Sequence, residues 1–194
     1  MKYAYISARL LDGTEGMAPE DGKTVLTEGE RITAIVPSGS DLTGYEVIDL
    51  KGQYLMPGLI NMHVHLPASG RPKKKQQDNV KMVKTMTSNA LFRKIIQKMC
   101  EGYARTQLMS GVTTIRTMGG VLSYDTIIRD RIDSGAIVGP RILAANMAIS
   151  VPGGHMAGSL AYVAQSAQEA KSYVTQIAAD RPDIIKLMIT GGVL

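Results

Sequence analysis

Four short apolar segments that alternate with helical patterns constrain the fold of most of this 194-residue chain. They are "GLINMHVHL", "VTTIRTMGG", "PRILAANMAIS" and "PDIIKLMITGG". Near-continuous apolar, β-branched runs are typical of strands buried on both faces of a parallel sheet. A long helix is predicted from about Val80 to Met109, and shorter helices at "YDTIIRDRIDSG" and "AQEAKSYVTQIAAD". This order predicts an α/β fold of about four βα units.

The first fifty-odd residues have a different pattern, of short strands separated by turn signals. The segment "KTVLTEGERITAIV" reads as two strands around Glu-Gly-Glu, and "EVIDLKGQYLMPG" as a strand with a glycine break and a Pro-Gly stop. The sequence therefore predicts a small β unit over residues 1–56 and an α/β unit over residues 57–194.

Each predicted strand of the α/β unit ends in a glycine-rich or polar cluster: "HVHLPASG", "TMGG", "SVPGGH" and "TGG". In parallel α/β folds, functional groups gather at the carboxyl ends of the strands, so these clusters are expected on one face.

His63 and His65 are the most informative residues of these clusters. Side chains at i and i+2 of a strand point to the same side, so both imidazoles can face one point while Val64 packs the other way. Such a pair can bind zinc, iron or nickel, although two ligands are too few for a catalytic ion. The alternative is a pair of hydrogen-bonded histidines that closes a strand.

Composition argues against several other classes of protein. The single cysteine, Cys100, excludes an internal disulfide framework, fits a reducing compartment and is predicted to be a buried structural thiol. No apolar run is long enough to span a membrane, and the N-terminus lacks a signal-peptide pattern, so a cytoplasmic protein is expected. The net charge of +5 includes the cluster "RPKKK" at residues 71–75, predicted to be a solvated loop and not a nucleic-acid site.

The segment "VIDLKGQYLMPGLINMHVHL" resembles the passage of amidohydrolase-superfamily enzymes from an N-terminal β-sandwich into strand one of a (β/α)8 barrel. "GVTTIRTMGG", "GPRILAAN", "GGH" and "DIIKLMITGG" are similar to successive strands of the metal-dependent dipeptidase and carboxypeptidase branch. The resemblance implies part of a β-sandwich domain over residues 1–56 and the first half of a TIM barrel over residues 57–194, ending after strand four.

Lys186 stands in "DIIKLMI", an otherwise apolar strand. A buried lysine is costly unless it is paired or modified, and the alternative is a lysine at the strand's edge that reaches solvent. The resemblance implies that Lys186 is carboxylated and bridges two divalent metal ions, expected to be zinc, with His63 and His65 on the first ion. Imidazolonepropionase-like relatives use one metal and lack this lysine, so Lys186 favours the binuclear branch.

His155 follows two glycines in "SVPGGHMAG", and the resemblance implies that it binds substrate carboxylate or carbonyl. The alternative is a loop histidine without function. Thr117 departs from the family pattern, which usually has an aspartate there, and Arg116 is interpreted as structural.

The resemblance implies hydrolysis of an amide or peptide bond, in a dipeptide (including the Xaa-Pro type) or an N-acyl amino acid, by metal-activated hydroxide. The alternatives are a cyclic-amide or deaminase-like hydrolase, or a non-catalytic half-barrel subunit. The general-base aspartate and the second metal's histidines are expected beyond Leu194. We therefore expect a second polypeptide, a second copy of the chain or a longer precursor to supply the remainder of the barrel. We also expect the protein to be an oligomer and the lone chain to be inactive.

Overall fold

The computed structural model of the chain describes residues 1–70 and 78–191 and divides into two compact units, Met1–Pro57 and Gly58–Leu194. The basic cluster at residues 71–75 lies outside the described residues, so the loop expected there stays a prediction. Among the described residues, no helix combines the length and the apolar character that crossing a bilayer requires.

The first unit consists of short strands. They are β1 (Lys2–Ile6), β2 (Arg9–Leu10), β3 (Lys23–Glu28), β4 (Arg31–Pro37), β5 (Glu46–Asp49) and β6 (Tyr54–Leu55). One sheet has the order β4-β3-β1-β5, with β1 antiparallel to β3 and parallel to β5, and β2 pairs with β6. The two strands expected around Glu-Gly-Glu are β3 and β4, which pair antiparallel. The turn between them contains Gly29 with a φ of 59°, a left-handed conformation that glycine adopts without steric cost.

The second unit alternates strands and helices. Its strands are β7 (Leu59–Val64), β8 (Val112–Thr117), β9 (Arg141–Leu143), β10 (Ala148–Ser150), β11 (Ala161–Val163) and β12 (Leu187–Met188). Its helices are α1 (Asn79–Met86), α2 (Ala90–Met109), α3 (Tyr124–Asp133) and α4 (Ala167–Ala178). The strands form two parallel sheets, with the orders β7-β8-β9 and β11-β10-β12. The predicted α/β fold class is thereby confirmed.

The prediction of one helix from Val80 to Met109 is wrong, because the chain leaves the helix after α1. The Asn89 side chain accepts a hydrogen bond from the amide of Phe92 at 2.9 Å and begins α2 as its N-cap. An N-cap residue has extended backbone, so a new helix starts there although the apolar periodicity continues.

The third predicted strand, "PRILAANMAIS", is also corrected, because it forms β9 and β10 in two different sheets. Between them, Asn146 has a φ of 60° and turns the chain. The short strand β11, which pairs with β10, was not predicted from the sequence.

The main core of the second unit lies between β8 and the helices α2 and α3. Ile96 and Cys100 of α2, Ile115 of β8 and Ile128 of α3 are all at most 1% exposed. Cys100 is a free, buried thiol, as predicted.

Candidate functional site

His63 and His65 bring their imidazoles together at the carboxyl end of β7. Their Nε2 atoms lie 3.3 Å apart, and the ring centroids are 5.2 Å apart. Val64 between them is buried. The i, i+2 spacing predicts this arrangement, because alternate side chains of a strand point to the same side.

One contact fixes the protonation of the His65 ring. Its Nδ1 lies 2.8 Å from the carbonyl oxygen of Gly119, which follows β8. A carbonyl oxygen can only accept, so Nδ1 carries the hydrogen and the neutral imidazole keeps its lone pair on Nε2. In metal sites, such a contact at the second ring nitrogen orients the ligand.

The surroundings of His63 favour a neutral imidazole. His63 is exposed overall, but partial burial of its ring lowers its pKa, and repulsion from His65, Lys186, Arg116 and His155, when these are protonated, acts in the same direction. A neutral imidazole is the form that binds metal ions, and the cationic surroundings favour an anionic ligand.

The three histidines and the lysine that were predicted as site residues line one cavity of about 340 Å³. His63 and His65 lie at the end of β7, and His155 lies between β10 and β11. Lys186 was predicted within a strand, but β12 consists of Leu187–Met188 and Lys186 lies directly before it. Lys186 is half-buried and His155 is exposed. The remaining lining residues are Met118, Leu187, Met188, Ile189, Thr190 and Gly191.

The two imidazoles fit one side of a metal site. Two nitrogen ligands of a tetrahedral zinc ion, each about 2.0–2.1 Å from the metal, lie about 3.3–3.4 Å apart, and the Nε2 atoms are 3.3 Å apart. Over residues 1–70 and 78–191, no three His, Cys, Asp or Glu side chains gather as a ligand set. Lys186 lines the same cavity, and its side chain can bind a metal ion only as the neutral amine or after carboxylation.

Arg116 and Thr117 have structural contacts near the cavity. The Arg116 guanidinium donates from Nε to the carbonyl oxygen of Met62 at 2.9 Å, which ties β8 to β7 beside His63. The buried Thr117 hydroxyl accepts the amide of Ala145 at 2.8 Å. Thr117 thus contacts the connection after β9 and does not line the cavity.

Sequence reasoning missed Asp125, a buried carboxylate behind the His65 loop. Asp125 is 1% exposed, and its Oδ2 accepts the amide of Asn146 at 3.0 Å. Burial raises the pKa of Asp125, whereas hydrogen bonds from the Thr117 side chain and the Asn146 amide, and to a smaller extent the charge of His65, act to lower it. The available signal was helical spacing, since Asp125 precedes the core residue Ile128 by three positions and shares its face.

Comparison with known proteins places this site in a family. The model of the amidohydrolase family matches residues 54–194. A dihydroorotase of Anaplasma phagocytophilum (strain HZ) is 38% identical over 80 residues, which are 39% of this chain and 17% of that protein. An adenine deaminase of Klebsiella pneumoniae (strain 342) is 35% identical over 88 residues, which are 45% of this chain and 14% of that protein.

Among solved structures, a Xaa-Pro dipeptidase with bound methionine in its active site is similar at a TM-score of 0.76 and 27% identity. The similarity covers 100% of this chain and 48% of the dipeptidase chain. This chain thus spans less than half the length of each of these three relatives. Since the family model matches well over half of the chain, the chain belongs to the amidohydrolase family.

Proposed function

We propose that this chain is the N-terminal part of a metal-dependent amidohydrolase that hydrolyses the amide or peptide bond of a dipeptide, including the Xaa-Pro type, or of an N-acyl amino acid. Residues 57–194 would supply the first half of a (β/α)8 barrel, and residues 1–56 part of a β-sandwich. The observation that carries the proposal is the convergence of the His63 and His65 Nε2 atoms in a cavity shared with Lys186 and His155.

His63 and His65 are the proposed ligands of the first of two divalent ions, because their Nε2 atoms, which lie within hydrogen-bond distance in the absence of metal, are at the separation that one ion requires. Amidohydrolases typically use divalent metals, and zinc suits these imidazole donors. Lys186, once carboxylated, is the proposed bridge between the two ions. When bound, such ions activate water at neutral pH and polarise the scissile carbonyl.

His155 is the proposed substrate-binding residue. It is exposed on the cavity wall, where an imidazole N–H can donate to the carbonyl or carboxylate of a bound peptide. The Xaa-Pro dipeptidase similarity supports a substrate with both groups.

The remainder of the barrel is the proposed partner, as a second polypeptide or as part of a longer precursor. β7 and β12 are end strands of their sheets, and each has apolar residues that are exposed. Ile60 is 63% exposed and Leu187 is 51% exposed. Edge strands with exposed apolar residues favour coverage by further strands, which would also supply the general-base aspartate.

A cyclic-amide hydrolase or a deaminase on the same scaffold is the second candidate, and the dihydroorotase and adenine deaminase similarities favour it. A non-catalytic half-barrel subunit is the third. A hydrolysis panel on the natively purified protein separates them: Xaa-Pro and other dipeptides, N-acyl amino acids, cyclic amides and adenine. Native mass and metal content are measured on the same sample.

The proposal expects turnover of a dipeptide or N-acyl amino acid, with bound divalent metal and a companion polypeptide or longer chain in the mass spectrum. Turnover confined to cyclic amides or adenine would favour the second candidate. A complete assembly without tight metal and without turnover would favour the non-catalytic subunit.

A further inference from the structure

We infer that Asp125 and Asn146 are positioning residues for His65: together they hold the Gly119–Gly120 turn, whose carbonyl keeps the His65 hydrogen on Nδ1 and leaves Nε2 bare. The inference rests on the proposed role of His65 as a metal ligand. It identifies the residues that keep its Nε2 free of hydrogen. Neither residue lines the cavity.

The turn itself is the first part of the argument. Gly119 has a φ of 127°, a conformation that side chains other than glycine rarely adopt, and in it the carbonyl oxygen lies 2.8 Å from Nδ1 of His65. The next amide, of Gly120, donates to the carbonyl oxygen of Asn146 at 2.7 Å. The position of the Gly119 carbonyl oxygen, which contacts His65, is therefore linked to Asn146.

Asn146 is held by three further contacts. Its own amide donates to Oδ2 of Asp125 at 3.0 Å, and its side-chain Oδ1 accepts the amide of Thr126 at 3.1 Å. The Asn146 Nδ2 lies 3.1 Å from the Thr126 hydroxyl. Asn146 has a φ of 60°, and a non-glycine residue keeps such a conformation only when its surroundings over-determine it.

Asp125 also supports the turn by direct packing. A Cβ built on Gly120 would lie 2.6 Å from Oδ1 and 2.7 Å from Oδ2 of Asp125, so the carboxylate fills the space beside the glycine. While Asp125 is present, there is thus no room for a side chain at position 120.

Stability alone does not explain a carboxylate at this place. Asp125 is 1% exposed, and among the described residues no donor has good hydrogen-bond geometry at its Oδ1, although the Thr117 hydroxyl interacts with the carboxylate closely enough to lower its pKa. A buried polar atom without a partner is destabilising and marks a group retained for another reason. The link from Asp125 through Asn146 and Gly120 to the carbonyl on His65 supplies that reason.

The test is the tautomer of His65 in the natively purified protein after removal of metal, measured by long-range ¹H–¹⁵N NMR at about pH 8, above the ordinary pKa of a histidine side chain. The chain has three histidines, so three ring systems must be assigned. Wild type should show His65 protonated at Nδ1 and bare at Nε2. In Asp125→Ala the ratio of the Nε2–H to the Nδ1–H form should rise about fivefold, which corresponds to the loss of one ordinary hydrogen bond.

Asp125→Asn keeps an acceptor for the Asn146 amide and should restore the wild-type tautomer. Thr126→Val is the matched control, because it removes a contact to the Asn146 side chain and leaves the Asp125 contact in place. This control should lower the free energy of unfolding without changing the His65 tautomer.

A folded Asp125→Ala with the wild-type tautomer would overturn the inference, as would a Thr126→Val that shifts the tautomer equally. If Asp125→Ala does not fold, the His65 tautomer is measured in Gly120→Ala instead, because the added methyl group displaces the Asp125 carboxylate. An unchanged tautomer in that variant would again overturn the inference. Hydrolysis is not part of the readout, so failure of the proposed function would be recognised separately.

Discussion

Arg129 on α3 donates a hydrogen bond from Nη1 to Oδ2 of Asp183 at 2.8 Å. The same oxygen accepts the amide of Ala144, directly after β9, at 2.8 Å. Asp183 precedes Lys186 by three positions. One carboxylate thus ties α3 and the end of β9 to the segment that carries the proposed bridging lysine.

Asp183→Asn should make the free energy of unfolding less dependent on pH in the acidic range. Burial acts to raise the pKa of Asp183, but the Ala144 amide and the Arg129 guanidinium outweigh it, so the pKa lies below its usual value. The ionised carboxylate therefore contributes stability above the unfolded pKa of about 3.9, and this contribution is lost as pH falls through the folded pKa. Urea unfolding from pH 7 to pH 2 should show wild type and variant converging in acid.

Asp133→Asn, at the exposed end of α3, is the control for the general effect of removing an acidic residue. It should leave the pH dependence of wild type in place. A constant difference between wild type and Asp183→Asn across the whole pH range would contradict a role for the ionised carboxylate.

Sequence periodicity predicted β7, β8, α3 and α4, because each is a local pattern with its own end signals. It failed where local signals competed. The apolar spacing of α1 continues into α2, and only the capping hydrogen bond of Asn89 shows that the helix restarts. The strand "PRILAANMAIS" breaks at Asn146, whose left-handed conformation is accompanied by a hydrogen bond from its amide to Asp125, a residue twenty-one positions earlier in the chain.

The site divides in the same way. His63 and His65 could be placed together from the sequence, since two residues of one strand define their common side. That Lys186 and His155 line the same cavity was expected only from the carboxyl-end rule and the family resemblance. Asp125 could not be assigned, because its importance comes from Gly120 and Asn146, which the fold alone brings near it.

Lys186→Ala and His63→Ala should each abolish hydrolysis by the complete enzyme while leaving it folded. Each removes a proposed metal ligand, and removing the ion removes the activation of water and carbonyl. The measurements are kcat/KM on the best substrate of the panel, metal content by mass spectrometry, and circular dichroism. Chelation of wild type should abolish activity in the same way, and added zinc should restore it.

Lys171→Ala, on α4, is the matched control for removing a lysine and should keep full activity. Retention of more than a few per cent of activity by Lys186→Ala, with unchanged metal content, would refute the bridging role.

Cys100 should resist alkylation in the folded protein. Burial raises the pKa of its thiol to about 12, and the charges of Asp125 and Glu101 act in the same direction. The thiolate is then about one part in ten thousand at pH 8, and the side chain is 1% exposed. Iodoacetamide labelling followed by mass spectrometry should be slow in buffer and fast in urea, and equal rates would show that Cys100 is accessible.

Gly58 of the Met-Pro-Gly motif should not tolerate a side chain. A Cβ on Gly58 would lie 2.0 Å from Oγ1 and 2.6 Å from Cβ of Thr113, the second residue of the neighbouring strand β8. Gly58→Ala should therefore destabilise the protein by about 1–3 kcal/mol, because the overlap forces the strands to shift. Urea unfolding measures the change. Adding Thr113→Ala should recover part of the loss, because it removes two of the three close atoms.

Gly102→Ala is the matched control, because Gly102 lies within α2 with nothing within 4 Å of a built Cβ. Alanine is favoured over glycine in a helix by about 1 kcal/mol, so this variant should stabilise the protein. The same substitution should thus have opposite signs at the two positions. A Gly58→Ala variant as stable as wild type would show that Thr113 moves aside at no cost and that the motif's glycine is not required by packing.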